Sequence, residues 1–313
     1  MISLKILASS LRPPLRFTLF ALLISALPAR ADSPGQTGAE FLKIGVGARA
    51  TALGGSYAAL ADDVYSLYWN PAGLTRVRRY EAAFQVNDYF QDIRQHFLVA
   101  ARNTKKHGAF GIGLNLLGTG DIPRTAVTAN GAMSAAGSFS AEDLAVIFGY
   151  ARLVTGWCSA GSALKLIRST IANYHASAIA LDAGLQIRPV ESLSIGFAIQ
   201  NLGTRIGFIA EKDELPMLYR LGVSGHLLKN RALALTMDLS QARSDVVTFG
   251  FGCEYTLMSM YVFRIGYTTA TSESDRGLTA GFGLRFKSLH FEYAFVPFGA
   301  LGDAHRYSLK AVF

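Results

Sequence analysis

The residue types that most often carry chemistry are sparse in this chain, and their spacing does not suit it. The six histidines are His96, His107, His175, His226, His290 and His305, and none lies two to five positions from another. Local zinc motifs need that spacing, and the only cysteines, Cys158 and Cys253, are too far apart to supply a second half-site. No metal or other cofactor is expected. Gly111, Gly113, Gly118 and Gly120 imitate a phosphate loop, but the required spacing fails and no helix with a lysine follows. No local motif gathers a nucleophile with its base, so no enzymatic activity is expected.

What remains is charge scattered on alternating positions. Asp182, Arg220, Asp238, Glu254, Arg264, Arg285 and Glu292, with Lys165, Gln186 and Gln200, fall on the polar phase of segments whose other phase is apolar. If that phase faces an interior, these groups must partner one another, because an isolated buried charge is costly. The favoured expectation is a lumen polar network that fixes an internal segment; the other is a polar conduit or a site for a ligand carboxylate.

The elements that would position these residues are strands. From Tyr80 onward the chain alternates in segments of about ten residues, the length a tilted strand needs to cross a bilayer. Phe249, Phe251, Cys253 and Tyr255 oppose Gly250, Gly252 and Glu254; Leu278, Ala280, Phe282 and Leu284 oppose Thr279, Gly281 and Gly283. About fourteen strands are expected, near 80–89, 93–103, 108–117, 142–152, 157–169, 176–188, 192–202, 217–228, 231–240, 246–257, 259–268, 277–286, 288–297 and 304–313. Their connections alternate between tight turns and longer loops, as in outer-membrane barrels. A soluble sandwich explains the period but not that rhythm. The expected fold class is therefore all-β: a transmembrane antiparallel barrel, multi-pass in the bacterial outer membrane, with outer-membrane lipid around it. The last strand alternates through Tyr307 and Leu309 to Phe313, which resembles the C-terminal insertion signal read by the barrel-assembly machinery.

Half the residues are hydrophobic and 17% charged, yet no apolar run approaches the roughly 18 residues of a membrane helix. Lys5, Arg12 and Arg16 precede the apolar run Phe17–Leu27 and the small-residue site Ala29-Arg30-Ala31, an order that predicts a signal peptide over 1–31. Removing it lowers the net charge from +8 to +4, too mild to argue for nucleic acid. The expected division is then signal peptide 1–31, an N-terminal hatch 32–79 and a barrel 80–313.

Residues 38–78 break the strand period. Leu60, Val64, Leu67 and Tyr68 follow helical spacing, Asp62 could cap a short helix, and Pro71 must end it. Some forty residues of short helices cannot form a domain alone, and a barrel lumen would supply the wall they need. The runs Phe41-Leu42-Lys43-Ile44-Gly45-Val46-Gly47-Ala48-Arg49-Ala50, Leu53-Gly54-Gly55-Ser56-Tyr57-Ala58-Ala59-Leu60-Ala61-Asp62-Asp63 and Tyr68-Trp69-Asn70-Pro71-Ala72-Gly73-Leu74 resemble the N-terminal signature of the PorV/PorQ family, within the superfamily of FadL, the long-chain fatty-acid transporter. A looser likeness continues through Gln200-Asn201-Leu202-Gly203 and Arg264-Ile265-Gly266-Tyr267.

The resemblance implies a fourteen-stranded barrel with a hatch holding Trp69, Asn70, Pro71, Ala72 and Gly73, flanked by Gly45, Gly47, Arg49, Gly54 and Gly55. It implies passive uptake of a small hydrophobic ligand such as a fatty acid, or else an accessory role beside type IX secretion components. FadL-like transporters release substrate sideways through a strand kink, and Gly113, Gly118, Gly120 and Pro123, on and after the third strand, are the candidates for such an opening. The competing reading of those four residues is a strand end and a loop.

Overall fold

The computed structural model describes residues 37–89, 91–127, 133–209, 211–243, 245–269, 277–299 and 302–313. The expected signal peptide, 1–31, lies outside the described residues. Among these, sixteen strands are present: β1 (Tyr80–Asp88), β2 (Arg94–Asn103), β3 (Ala109–Gly118), β4 (Ile122–Val127), β5 (Met133–Phe139), β6 (Ala141–Thr155), β7 (Cys158–Ile171), β8 (Tyr174–Val190), β9 (Leu193–Gly203), β10 (Leu218–Leu227), β11 (Leu233–Ala242), β12 (Thr248–Leu257), β13 (Tyr261–Thr268), β14 (Gly277–Phe286), β15 (Leu289–Pro297) and β16 (Asp303–Val312). Fourteen of them form a closed antiparallel barrel in which β1 pairs with both β2 and β16.

Chain order is broken at one place. β3 neighbours β6, because β4 and β5 leave the wall and pair with each other as a separate hairpin. The stretch 118–141, expected as plain loop, thus carries two further strands. Its residues are mostly small or polar and exposed, so no apolar phase marked them in the sequence. β6, β7 and β8 also run to 15, 14 and 17 residues, longer than the ten or so expected.

Apolar side chains cover the outside of the wall. Across β12 and β13, Phe251 pairs with Tyr267, Cys253 with Ile265 and Tyr255 with Phe263, and Ile265 is 54% exposed. Such a belt would drive aggregation in water, whereas hydrocarbon solvates it, and closure leaves no strand edge unpaired. No helix among the described residues is long and apolar enough to cross a membrane. Most of the tight turns, 104–108, 190–193 and 286–289 among them, share one end with Tyr80 and Phe313, called here the turn end; the longer connections, with the two-residue link between β7 and β8, share the other, the loop end.

The core lies inside the barrel. Residues 46–77 fill the lumen: Leu53, Tyr57, Val64, Tyr65, Leu67, Tyr68 and Leu74 are all buried, packed against Phe97, Ile147 and Ala163 of the wall. The segment is built of short helices, Ala48–Ala52, Ser66–Trp69 and the 3-10 helix Pro71–Arg76, and is preceded by a 3-10 turn, Glu40–Lys43. The helix expected around Leu60–Tyr68 is therefore shorter, and Asp62 does not cap it. Asp62 pairs instead with Arg49 at 2.6 Å, and Oδ1 of Asp63 accepts the N–H of Tyr65 at 3.0 Å. A buried guanidinium has the stronger claim on a carboxylate, because leaving it unpaired costs more than an open helix N–H.

Candidate functional site: the plugged lumen and its vestibule

Asn70 organises the turn that follows the helix Ser66–Trp69. Its backbone is extended (φ −160°), as the following proline requires, so the helix stops at Trp69. Its Oδ1 accepts the N–H of Ala72 at 3.2 Å, while Nδ2 donates to the Ala58 carbonyl at 2.8 Å and to Leu185 on β8 at 3.2 Å. One side chain thus caps the Pro71–Arg76 turn, ties the plug to itself and fastens it to the wall. Wall glycines permit this approach: a Cβ on Gly161 would sit 2.5 Å from the Pro71 carbonyl carbon, and one on Gly184 would collide with the Asn70 amide. Gly73 is equally enclosed, since its Cβ would lie 2.5 Å from the Ala61 carbonyl oxygen.

Elsewhere in the lumen the plug is held by charge. Arg49 is buried and donates through Nε and Nη2 to both carboxylate oxygens of Glu254, at 2.7 and 2.9 Å, and through Nη1 to Asp62 and to the Tyr57 hydroxyl. Glu254 also receives Arg264 at 2.7 Å and faces Arg285 at 3.7 Å, and Arg264 reaches Glu292 at 3.1 Å. Asp238 accepts the N–H groups of Tyr57 and Ala58 at 2.8 and 2.7 Å. Arg220 donates to Gln200 at 2.9 Å and lies 4.5 Å from the centre of the Trp69 ring. Gln186 donates to the Ala59 and Ala61 carbonyls. The lumen residues singled out in the sequence are brought together as partners of the plug or of one another.

Two basic partners escaped the sequence reading. Lys310 reaches Asp63 at 2.7 Å, and Arg306 donates to the Gly45 carbonyl and to the Tyr89 hydroxyl. Both sit on the inward phase of β16, and that phase was the only available signal. Gly45 and Gly55 lie near the Trp69 indole, Gly47 against the Tyr65 ring, and Gly54 (φ +65°) passes within reach of the Tyr267 backbone, a conformation and a closeness that suit only glycine.

The wall is closed at the candidate lateral opening. β3 pairs with β2 and β6 from Ala109 to Gly118 without a register shift, Gly113 meeting Val99 and Ile147, and Gly118 meeting Arg94 and Glu142. Glycine keeps its N–H, so these glycines remove no ladder bond. Pro123, which does lack a donor, lies in β4, outside the wall, and Gly120 stands between the two strands. The gap expected from Gly113, Gly118, Gly120 and Pro123 is absent. The register breaks instead between β8 and β9, where Asn201 (φ +61°) is an extra residue; its N–H donates to Asp182 at 2.7 Å, and Lys165 pairs with that carboxylate at 2.7 Å.

Above the plug, at the loop end, lies a vestibule of about 710 Å³. Trp69, Gly45, Gly54 and Gly55 contribute to its lining from the plug, Leu117, Ile171 and Val296 from the wall, and Phe41, Ile44, Phe208 and Phe298 from its upper part. Lys43 and Arg306 border it, and Lys43 pairs with Asp245 at 2.9 Å, joining the plug's first turn to the loop after β11. No spacing in the sequence marked this cavity, because its lining comes from many separate segments.

No protein-family model and no curated protein matches the chain. Solved structures do. The Pseudomonas putida toluene transporter TodX aligns over 91% of this chain and 99% of its own, with a TM-score of 0.63 at 12% identity. The Ralstonia pickettii toluene transporter TbuX aligns over 86% and 98%, with a TM-score of 0.61 at 15% identity. A Pseudomonas aeruginosa FadL homologue aligns over 82% and 95%, with a TM-score of 0.54 at 12% identity. Closed by fourteen strands and filled by its own N-terminal segment, this chain has the fold of the FadL-like barrels.

Proposed function

We propose that the protein is a PorV/PorQ-type barrel of the bacterial outer membrane that passes small hydrophobic molecules, such as fatty acids or monoaromatic hydrocarbons, without an energy source of its own. The observation that carries this reading is the vestibule: a cavity of about 710 Å³, open toward the loop end, whose lining combines Phe41, Ile44, Trp69, Leu117, Ile171, Phe208, Val296 and Phe298 with the charged Glu40, Lys43, Asp143 and Arg306. That size and lining suit a small apolar ligand. The loop end then faces outward and the turn end the periplasm, as short periplasmic turns require. Toluene transport by the similar barrels supports the cargo class. A type IX secretion role would need a surface that grips protein cargo, and the loop-end connections offer little such surface, the longest running only from Gly118 to Ala141. In this structure the plug seals the lumen below the vestibule, so passage requires either movement of the plug or an opening in the wall.

Trp69 supplies the test, because it lines the vestibule whereas Trp157, the only other tryptophan, is exposed in a turn-end connection. In a Trp157→Phe background, a brominated fatty acid should quench Trp69 emission saturably, and toluene should compete. Quenching without saturation would refute the site, and a deletion strain that takes up fatty acids and aromatic hydrocarbons as well as the parent would refute the transport role.

A further inference from the structure

The outer wall carries a feature that transport does not use. At the turn end three rows of side chains cross β3, β2, β1 and β16 in register. The row at the rim is Phe110, Arg102, Tyr80 and Phe313; the next is Ile112, Ala100, Ala82 and Ala311; the third is Leu114, Leu98, Phe84 and Leu309. Three consecutive alanines between two bulky rows leave a groove on the bilayer side, about 440 Å³ in volume, with Tyr80, Ala82, Ala100, Arg102, Phe110 and Phe313 in its lining. Because barrel strands are tilted by about 35–45°, a groove running across them is inclined to the membrane normal and opens toward the interface.

The charge above the groove is unbalanced. The guanidiniums of Arg79 and Arg102 both stack on Tyr80, 5.5 and 5.2 Å from its ring centre, and among the described residues neither has a carboxylate within ion-pair distance. Lys105 and Lys106 occupy the adjoining β2–β3 turn, exposed, and Glu81, the nearest acid in sequence, is buried on the lumen side and accepts the N–H groups of Val64 and Arg78. Two cations on one ring with no ion pair of their own, joined by Lys105 and Lys106 and opposed there only by the C-terminal carboxylate of Phe313, an oxygen of which accepts the N–H of Tyr80, leave net positive charge at the turn-end rim, which suits an anion.

We propose that this is a phospholipid site: the alanine groove seats one acyl chain of an inner-leaflet lipid, and Arg79 and Arg102 hold its phosphodiester. The site prefers an anionic lipid, since the nearby lysines leave positive charge beyond what one phosphate neutralises. The inference rests on the membrane placement proposed above, but not on the cargo.

The test is native mass spectrometry of the detergent-solubilised, folded protein with dioleoylphosphatidylglycerol, and dioleoylphosphatidylcholine as the comparison. The parent should retain one phosphatidylglycerol in preference to phosphatidylcholine. Arg79→Ala with Arg102→Ala should weaken retention about 30-fold, the equivalent of about 1 kcal/mol for each basic residue. Ala100→Phe keeps both charges and fills the groove, and it too should lose the lipid. Retention by both variants equal to the parent's would overturn the site, as would full displacement of the lipid by millimolar inorganic phosphate, which would make it a plain anion site. A protein that stays folded and soluble without detergent would instead overturn the membrane placement.

Discussion

At the scale of single residues, Arg49 is the hinge of the internal packing, because one planar guanidinium serves Glu254, Asp62 and Tyr57 together. Arg49→Leu leaves Asp62 with no other ion pair among the described residues, Asp63 with only Lys310, and Glu254 still facing Arg264 and Arg285. Removing one member of a buried charge cluster costs about 3–5 kcal/mol. The loss should fall on the plug, not the wall, whose ladders do not use Arg49. Urea titration followed by Trp69 emission, again in a Trp157→Phe background, should show an early transition in the variant while strand circular dichroism holds. Arg49→Lys keeps the charge but not the fork, and its transition should fall between those of the parent and Arg49→Leu. Gly184→Leu acts by shape: its side chain meets Asn70 and the Pro71 ring, and overpacking of about 1–3 kcal/mol should likewise move the Trp69 transition alone.

At the scale of elements, the loop 203–217 is latched over the vestibule by charge. Glu214 in this loop pairs with Arg205 at 3.0 Å and with Arg243 beyond β11, and its backbone carbonyl receives the N–H of Gly38 at 3.0 Å, where the plug begins. The hydrogen bond from Arg205, with the charge of Arg243, holds the Glu214 carboxyl below its ordinary value of 4.5. A depressed carboxyl stabilises the latched state fully above its unfolded value and loses that contribution as pH falls through the folded one. The latch should therefore be unchanged from neutral pH down to about 5 and loosen only below the ordinary carboxylate range. A spin label at Ile209→Cys, with Cys158 and Cys253 replaced by Ser, should gain mobility only at such low pH, and Glu214→Gln should show the mobile spectrum at neutral pH. Deleting residues 38–78 should leave an assembled barrel that conducts small ions in planar bilayers; conductance equal to the parent's would show that these residues do not plug it.

The same elements show what was legible in the sequence. Each wall strand has an apolar phase on the outer face, so its limits were readable to within a few residues. The plug was visible as a break in period, and the polar phase was visible as a charged interior. The β4–β5 hairpin was not, since its residues are mostly small or polar and neither phase is continuously apolar. Nor was the pairing of Lys310 with Asp63, 247 positions apart, because a contact across the lumen leaves no local pattern. The two readings of Gly113, Gly118, Gly120 and Pro123, an opening or a strand end and loop, could not be separated in the sequence for a related reason: glycine weakens a strand statistically, whereas here Gly111 and Gly113 make room for Leu67 of the plug.

At the scale of the whole molecule, the fold is inside out relative to a soluble barrel, with its polar partners in the lumen and its apolar side chains on the outer face. The closed ladder gives detergent no edge to enter, and the plug braces the wall from within. The folded protein should therefore resist dodecyl sulfate at room temperature and migrate differently once boiled. Substitution at two depths separates this architecture from a water-soluble one. Phe251 lies within β12, away from its ends, with its ring on the outer face, whereas Tyr261 opens β13 at the turn end. If hydrocarbon surrounds the wall, Phe251→Arg should cost about 2–4 kcal/mol and Tyr261→Arg at most about 1, because an arginine near the interface reaches water and headgroups. If water surrounds it, both substitutions replace an exposed apolar ring with a charge and neither should destabilise. Reversible urea unfolding in lipid vesicles, followed by strand circular dichroism, measures the difference, and equal small effects at the two positions would contradict a transmembrane wall.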